Sequence, residues 1–202
     1  DLYRPYKPKR KTRASIAKEK GLEPLANIIY LQMTTKSLEE EAKAYVDEEK
    51  GVATVAEALA GAGDILAEAI SDEADYRTKI RGLTEKEGSV VSQAKDEEAQ
   101  SVYEMYYQFS ETVKKIAGHR VLALNRGEAE KILTVKIEAP VDKILSYLEK
   151  EIIRRDNAHT NDFLKNVIKD SYDRLIAPSI EREIRTALTE KAEEGAISVF
   201  GK

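Results

Sequence analysis

From residue 22 onward, apolar positions recur mostly every three or four residues, and that spacing predicts helices. In EPLANIIYLQ (23–32), Leu25, Ile28, Ile29 and Leu31 share one side, and Pro24 suits the first turn. Upstream, Thr12 offers a hydroxyl cap for RASIAKEK, and Gly21 a left-handed stop. Ser37 with Glu40 has the spacing of a capping box ahead of LEEEAKAYV. Thr54 with Glu57 repeats it ahead of VAEALAGAGDILAEAI, and Ser71 is placed to cap DEADYRTKIRGL. The period changes at GSVVSQ (88–93), a short β-branched run. KILTVKIEA (131–139) alternates Ile132, Thr134 and Lys136 with Leu133, Val135 and Ile137. A period of two predicts strands at both places, paired as a ribbon around an intervening helical segment. In that segment GHRVLALNRG reads as one short helix closed by Gly127. After Pro140 the helical period returns, with Val141, Ile144, Leu145, Leu148 and Ile152 on one face. Phe163, Leu164, Val167, Ile168, Leu175 and Ile176 form the next stripe, and Pro178 restarts a helix bearing Ile180, Ile184 and Leu188.

The expected fold is therefore mainly α: an irregular multi-helix bundle with a small inserted β ribbon. Three divisions are expected: a basic strap and helical, helix-turn-helix-like region (1–87), a small α+β insertion (88–138), and long C-terminal helices (139–202). Composition agrees. Of 202 residues, 35% are charged, against ~25% in ordinary domains. Three Phe and no Trp leave the core to aliphatic side chains. Cysteine is absent, which excludes disulfides and thiolate metal sites and favours a reducing cytoplasm. No run approaches the ~18 apolar residues that span a bilayer, so no membrane association is expected. The chain starts at Asp1 without Met and reads as an excised piece of a longer protein.

Charge is unevenly spread. Residues 1–20 hold eight Lys or Arg against Asp1 and Glu19, a net +6 in a chain whose total is −4. The opening LYRPYKPKRKTR is extended by Pro5 and Pro8. Its Arg4, Lys7, Lys9, Arg10, Lys11 and Arg13 are the candidate nucleic-acid contacts, able to neutralise phosphates without reading sequence. The plainer alternative is a solvated linker whose Tyr3 and Tyr6 clip onto the helical body.

Other chemistry is sparse. His119 and His159 are the only histidines, and neither has partners at zinc-like spacing. No nucleophile elbow, phosphate loop or dinucleotide fingerprint occurs, and neither an enzyme nor a cofactor is expected. A helix-turn-helix with its corner at Gly61–Gly63 would carry Asp64, Glu68, Asp72 and Glu73 on its second helix. Those acids oppose docking on DNA, so close packing through small residues is the preferred reading. In VYEMYYQF (102–109) the aromatics interleave with carboxylates, which favours packing over base stacking.

Three blocks resemble the Tex family of bacterial transcription accessory proteins: LYRPYKPKRKTRASIAKEKGLEPLA (2–26), GHRVLALNRGEAEKILTVKIE (118–138) and DSYDRLIAPSIEREIRTALTEKAEEGAISVFGK (170–202). The resemblance implies a large, multi-module cytoplasmic protein that binds nucleic acid and influences transcription, paralleling a eukaryotic elongation factor that travels with RNA polymerase. It further implies a ribonuclease-H-like module, a helix-hairpin-helix part and a C-terminal OB-fold RNA-binding module after this region. Nucleic-acid binding in the family is associated chiefly with that last module. On this reading the chain is a helical scaffold with RNA or DNA as partner of the whole protein, and RNA polymerase or its associated factors as further partners. The alternative is a protein-docking module of the transcription machinery that makes no direct nucleic-acid contact.

Overall fold

The computed structural model describes residues 11–200, with side chains described through residue 196. The protein is mainly α with one small antiparallel sheet. The helices run α1 (Arg13–Glu19), α2 (Glu23–Leu31), α3 (Leu38–Lys43), α4 (Val55–Asp72), α5 (Ala74–Glu87), α6 (Gly118–Ala129), α7 (Val141–Ile152), α8 (Asn161–Asp170) and α9 (Ala177–Phe200). The strands are β1 (Ser89–Ala94), β2 (Gln108–Thr112) and β3 (Leu133–Glu138). They fold into two compact units, each drawn from two segments: residues 1–73 with 147–175, and residues 74–146 with 176–202.

The first unit is helical and centred on α4, against which α1, α2, α3 and α8 pack. Thr12 caps α1: its hydroxyl accepts from Ser15 N at 3.0 Å, while Ser15 Oγ accepts from Thr12 N at 2.8 Å. Gly21, at φ +78°, takes the left-handed position after α1. Pro24 lies in the first turn of α2. Ser37 and Thr54 cap α3 and α4. Neither is shown as a reciprocal box, since the Glu57 carboxylate turns instead to Ala53 N at 2.7 Å.

One sequence expectation holds in α4 and one fails. The helix runs unbroken through Gly61 and Gly63, so there is no helix-turn-helix corner. Helical backbone accommodates isolated glycines at about 1 kcal/mol each, and here packing explains them. A Cβ on Gly61 would come within 2.3 Å of the buried Leu22, and one on Gly63 would meet Phe163 at 3.4 Å. Ala58, Ala62 and Ala67 are completely buried beside them, which bears out close packing through small residues. Ser71 does not cap α5. It lies in the last turn of α4, with its hydroxyl donated to Glu68 O at 2.8 Å.

The second unit holds the sheet, ordered β2-β1-β3. β1 and β3 pair antiparallel, Val91 opposite Lys136, as their alternation predicts. The surprise is β2: Gln108–Thr112 joins the other side of β1, with Ser110 opposite Val91. QFSET was read as part of a helical stretch because the aromatics before it mask the switch to a period of two. Tyr103 and Tyr106 are buried, and Tyr106 meets Phe109 edge-on at 5.2 Å. These aromatics pack, as expected.

In α6, Gly127 is not the stop. The helix continues to Ala129, and the left-handed residue is Lys131 at φ 63°. Gly127 is small because Leu133 and Tyr103 lie against it; an added Cβ would be 2.5 Å from Leu133 Cδ1. Ile144, Ile180 and Ile184, on the expected stripes of α7 and α9, are buried, as is Ile176 just before α9. Pro178 sits in the first turn of α9, preceded by a π-helical turn, Ser171–Ile176. Proline donates no N–H to the fourth residue back, and a widened turn before it absorbs the missing bond.

Candidate nucleic-acid interface

Of the six candidate phosphate contacts, Arg4, Lys7, Lys9 and Arg10 lie outside the described residues. Lys11 and Arg13 are described, and both are exposed at the start of α1. Lys11 Nζ lies 3.8 Å from Glu19, an exposed pair that solvent screens to a small attraction. Arg13 faces inward electrostatically: with Arg174 it opposes the burial that raises the Asp64 carboxyl above its ordinary range. Asp64 in turn lies 3.8 Å from Arg174, which also holds Asp170 at 2.9 Å.

Past the other end of α1, the structure brings two further cations of the first unit together. Lys20 and Lys50 each precede a left-handed glycine, Gly21 at φ +78° and Gly51 at φ +86°. The two turns abut. Lys50 Nζ lies 3.6 Å from where a Cβ on Gly21 would stand, and Lys20 Cε lies 3.4 Å from the same point on Gly51. The lysine stems thus cross over bare glycine backbone. Neither ammonium forms an ion pair among the described residues, so both remain able to meet an anion. The sequence carried a signal in its two Lys-Gly pairs, 30 residues apart, but nothing in one dimension shows that they touch.

Elsewhere, several cations pair with carboxylates of their own unit. Lys18 pairs with Glu23 at 3.7 Å, Lys43 with Glu40 at 3.6 Å, and Lys169 with Asp173 at 2.7 Å. In the second unit, Arg77 and Arg81 converge on Glu183 and Arg185 reaches Glu128 at 2.6 Å. His119 and His159 are both exposed, and no group of three or more metal-ligating side chains gathers among the described residues. No described helix is long and apolar enough to cross a membrane.

The model of the Tex central region-like family matches residues 33–200. The chain belongs to the Tex family. A Bacillus subtilis protein, "Uncharacterized protein YdcI", is 51% identical over 205 residues, covering 100% of this chain and 28% of its own length. "Transcriptional accessory protein Tex" of Neisseria gonorrhoeae is 31% identical over 211 residues, covering 100% of this chain and 27% of its own length. The human "S1 RNA-binding domain-containing protein 1" is 30% identical over 214 residues, covering 98% and 21%. The chain therefore spans little more than a quarter of the Bacillus and Neisseria Tex relatives. The block at 2–26 lies wholly upstream of the matched region, whereas those at 118–138 and 170–202 fall within it or run just past its end.

Proposed function

We propose that this chain is the helical scaffold of a longer, cytoplasmic Tex-family protein that binds RNA and assists transcription. In this reading it performs no catalysis and takes no cofactor. Its own contact with nucleic acid is an electrostatic one at the first unit, where Arg4, Lys7, Lys9, Arg10, Lys11 and Arg13 neutralise phosphates and Lys20 and Lys50 extend the contact. The observation that carries it is the segregation of charge. Residues 1–20 are net +6 in a chain of net −4, so the remainder sums to −10, while each unit has a dense aliphatic core. Such a body suits holding other modules better than tracking a polyanion. The names of the Neisseria and human relatives, a transcriptional accessory protein and an S1 RNA-binding-domain protein, support the wider role.

The test is a titration of labelled single-stranded RNA against the chain across a salt series. Eight phosphate contacts predict a log–log slope of about −5.6. Neutralising the six strap cations to Gln leaves a slope of about −1.4, and Lys20→Gln with Lys50→Gln alone reduces the full slope by about 1.4. Flat, salt-independent behaviour, or no binding, sinks the electrostatic contact and leaves the protein-docking alternative in its place.

A further inference from the structure

The sheet of the second unit has two outer edges, and the chain treats them differently. Bonded and non-bonded pairs alternate along antiparallel strands, so register decides which backbone groups point outward. On β3, Lys95 N donates to Ile132 O on the inner side, which leaves Leu133, Val135 and Ile137 facing out. Side chains of α9 answer two of them. Glu181 accepts from Ile137 N at 2.6 Å, and Arg185 reaches Val135 O at 3.4 Å. On β2 the flanking bonds are Ala94 N to Tyr107 O and Val113 N to Gly88 O, so the backbone of Phe109 and Glu111 turns towards β1. Gln108, Ser110 and Thr112 present theirs outward. Among the described residues nothing meets the N–H and C=O of Gln108 and Ser110 or the N–H of Thr112. Thr112 O alone is used, accepting from Lys115 N at 3.2 Å and Ile116 N at 3.0 Å.

An open edge invites another strand, and proteins usually blunt it with lysine, proline or a bulge. QFSET carries none of these. Its one charge, Glu111, is answered by Arg120 at 3.5 Å, and Arg120 also lies 5.5 Å over the Phe109 ring. The two flanks of β2 have opposite charge. Residues 95–107 hold Lys95 against Asp96, Glu97, Glu98 and Glu104, a net −3, and all four acids are exposed. Tyr107 donates to Ala99 O at 2.6 Å, which holds this acidic loop beside the start of the strand. Residues 113–117 hold Lys114 and Lys115 and no acid, a net +2; both lysines are exposed and in no ion pair among the described residues. Val102 and Met105, 85% and 64% exposed, add apolar surface at the acidic end.

We propose that two copies of this chain pair through β2, edge to edge and antiparallel, about a two-fold axis. With Ser110 facing Ser110, Gln108 of each copy faces Thr112 of the other, and every outward N–H gains an acceptor. Phe109 faces Glu111, so no like charges stand directly opposite. Antiparallel pairing sets the acidic flank of one β2 against the two lysines of the other, at both ends at once. That reversed polarity makes the chain its own complement, whereas an arbitrary strand would satisfy the backbone alone. The joined sheet also closes. Its outermost strands are the two copies of β3, whose edges α9 already occupies, so assembly stops at two. The pairing is short, and a dissociation constant on the order of tens of micromolar is expected, at the weak end of specific interfaces. It is independent of the strap: loss of RNA binding would leave it standing.

Sedimentation velocity of the full chain from about 5 µM to about 0.5 mM tests it, with a monomer–dimer equilibrium and nothing larger as the expected result. Ser110→Pro removes an N–H that no group of the chain uses, so the monomer keeps its circular dichroism spectrum while the dimer is lost. Because the chain has no cysteine, Ser110→Cys is a clean reporter of register. The two Cα atoms would stand about 5.5 Å apart, within disulfide range, and oxidation links the copies. Gln93→Cys, one strand further in, does not link them. Lys114→Glu with Lys115→Glu, or Glu98→Lys with Glu104→Lys, sets like charges together and weakens self-association at least about tenfold. An equimolar mixture of those two variants restores it, since each then meets the opposite charge at both ends. A chain monomeric throughout, a dimer that Ser110→Pro leaves intact, a mixture no tighter than its components, or growth beyond two copies overturns the proposal. So does a monomeric chain that binds an alternating Thr–Val peptide and loses it in Ser110→Pro, which would assign the edge to a different protein.

Discussion

The two units solve the same problem of joining distant segments by different means. In the first, the join is made by neutral side chains bonded to buried backbone. Gln32, only 5% exposed, donates to Ile152 O at 2.8 Å and accepts from Arg154 N at 3.1 Å and Arg155 N at 3.3 Å. Asn157 returns the contact through Gln32 O and Thr34 O, both at 3.0 Å, and Ser171 donates to Ala67 O at 2.6 Å. In the second unit the joins are charged and half-exposed. Glu181 accepts from Ile137 N at 2.6 Å, and Arg185 donates to Val135 O, Asn125 Oδ1 and Glu128, so that α9 covers the free edge of β3. Buried neutral bonds leave an orphaned backbone group when cut, while solvent takes over for exposed charged ones. The first unit should therefore be the more brittle.

The sharpest break of that comparison is at Gln32. Gln32→Ala strips the bonds that close the end of α7 and takes the side-chain amide away from two carbonyls, Ile152 and Tyr30, and two N–H groups. A loss of about 2–4 kcal/mol is expected by chemical denaturation. Gln32 also holds a left-handed backbone, φ 59°. Gln32→Gly relieves that conformation and should cost about 1 kcal/mol less than Ala. If both variants are neutral, the amide network is ornamental and the contrast between units falls.

Arg185 gives the matching measurement in the second unit. Arg185→Ala removes three kinds of acceptor at once, yet its guanidinium is partly solvated, and about 1–2 kcal/mol is expected. Lysine should not rescue it, because one ammonium cannot span Asn125, Glu128 and Val135 together. A loss exceeding that of Gln32→Ala would reverse the ranking of the two joins.

What the sequence disclosed follows the range of each interaction. Thr12, Ser37 and Thr54 act within a turn of their partners, and their caps were readable from spacing alone. The β1–β3 pairing was readable because both strands alternate cleanly. β2 was hidden because Phe109 follows a run of tyrosines whose burial has another cause. Gly127 looked like a stop because a helix-ending glycine and a glycine pressed by Leu133 carry the same letter. The candidate interface was legible only as a charged run. Lys20 and Lys50 meet only through tertiary contact, and a cleft between α6 and α9 exists only once residues 113–122 meet 188–196.

The smallest effect expected is at Asp64, and its sign is the informative part. Burial raises this carboxyl, with Arg174 and Arg13 opposing. A group whose folded pKa lies above its unfolded one contributes stability below the unfolded value and loses it as pH rises through the folded one. Asp64→Asn removes that loss. It should leave stability at pH 7 unchanged or raise it by less than about 1 kcal/mol, because the site is partly solvated. The margin should vanish below about pH 3, where the native carboxyl is protonated in both states. Thermal melts of the two proteins at pH 7 and at pH 3 measure it. A lower melting temperature for Asp64→Asn at pH 7 would mean that the attraction of Arg174 outweighs desolvation, and that the first unit too relies on charge.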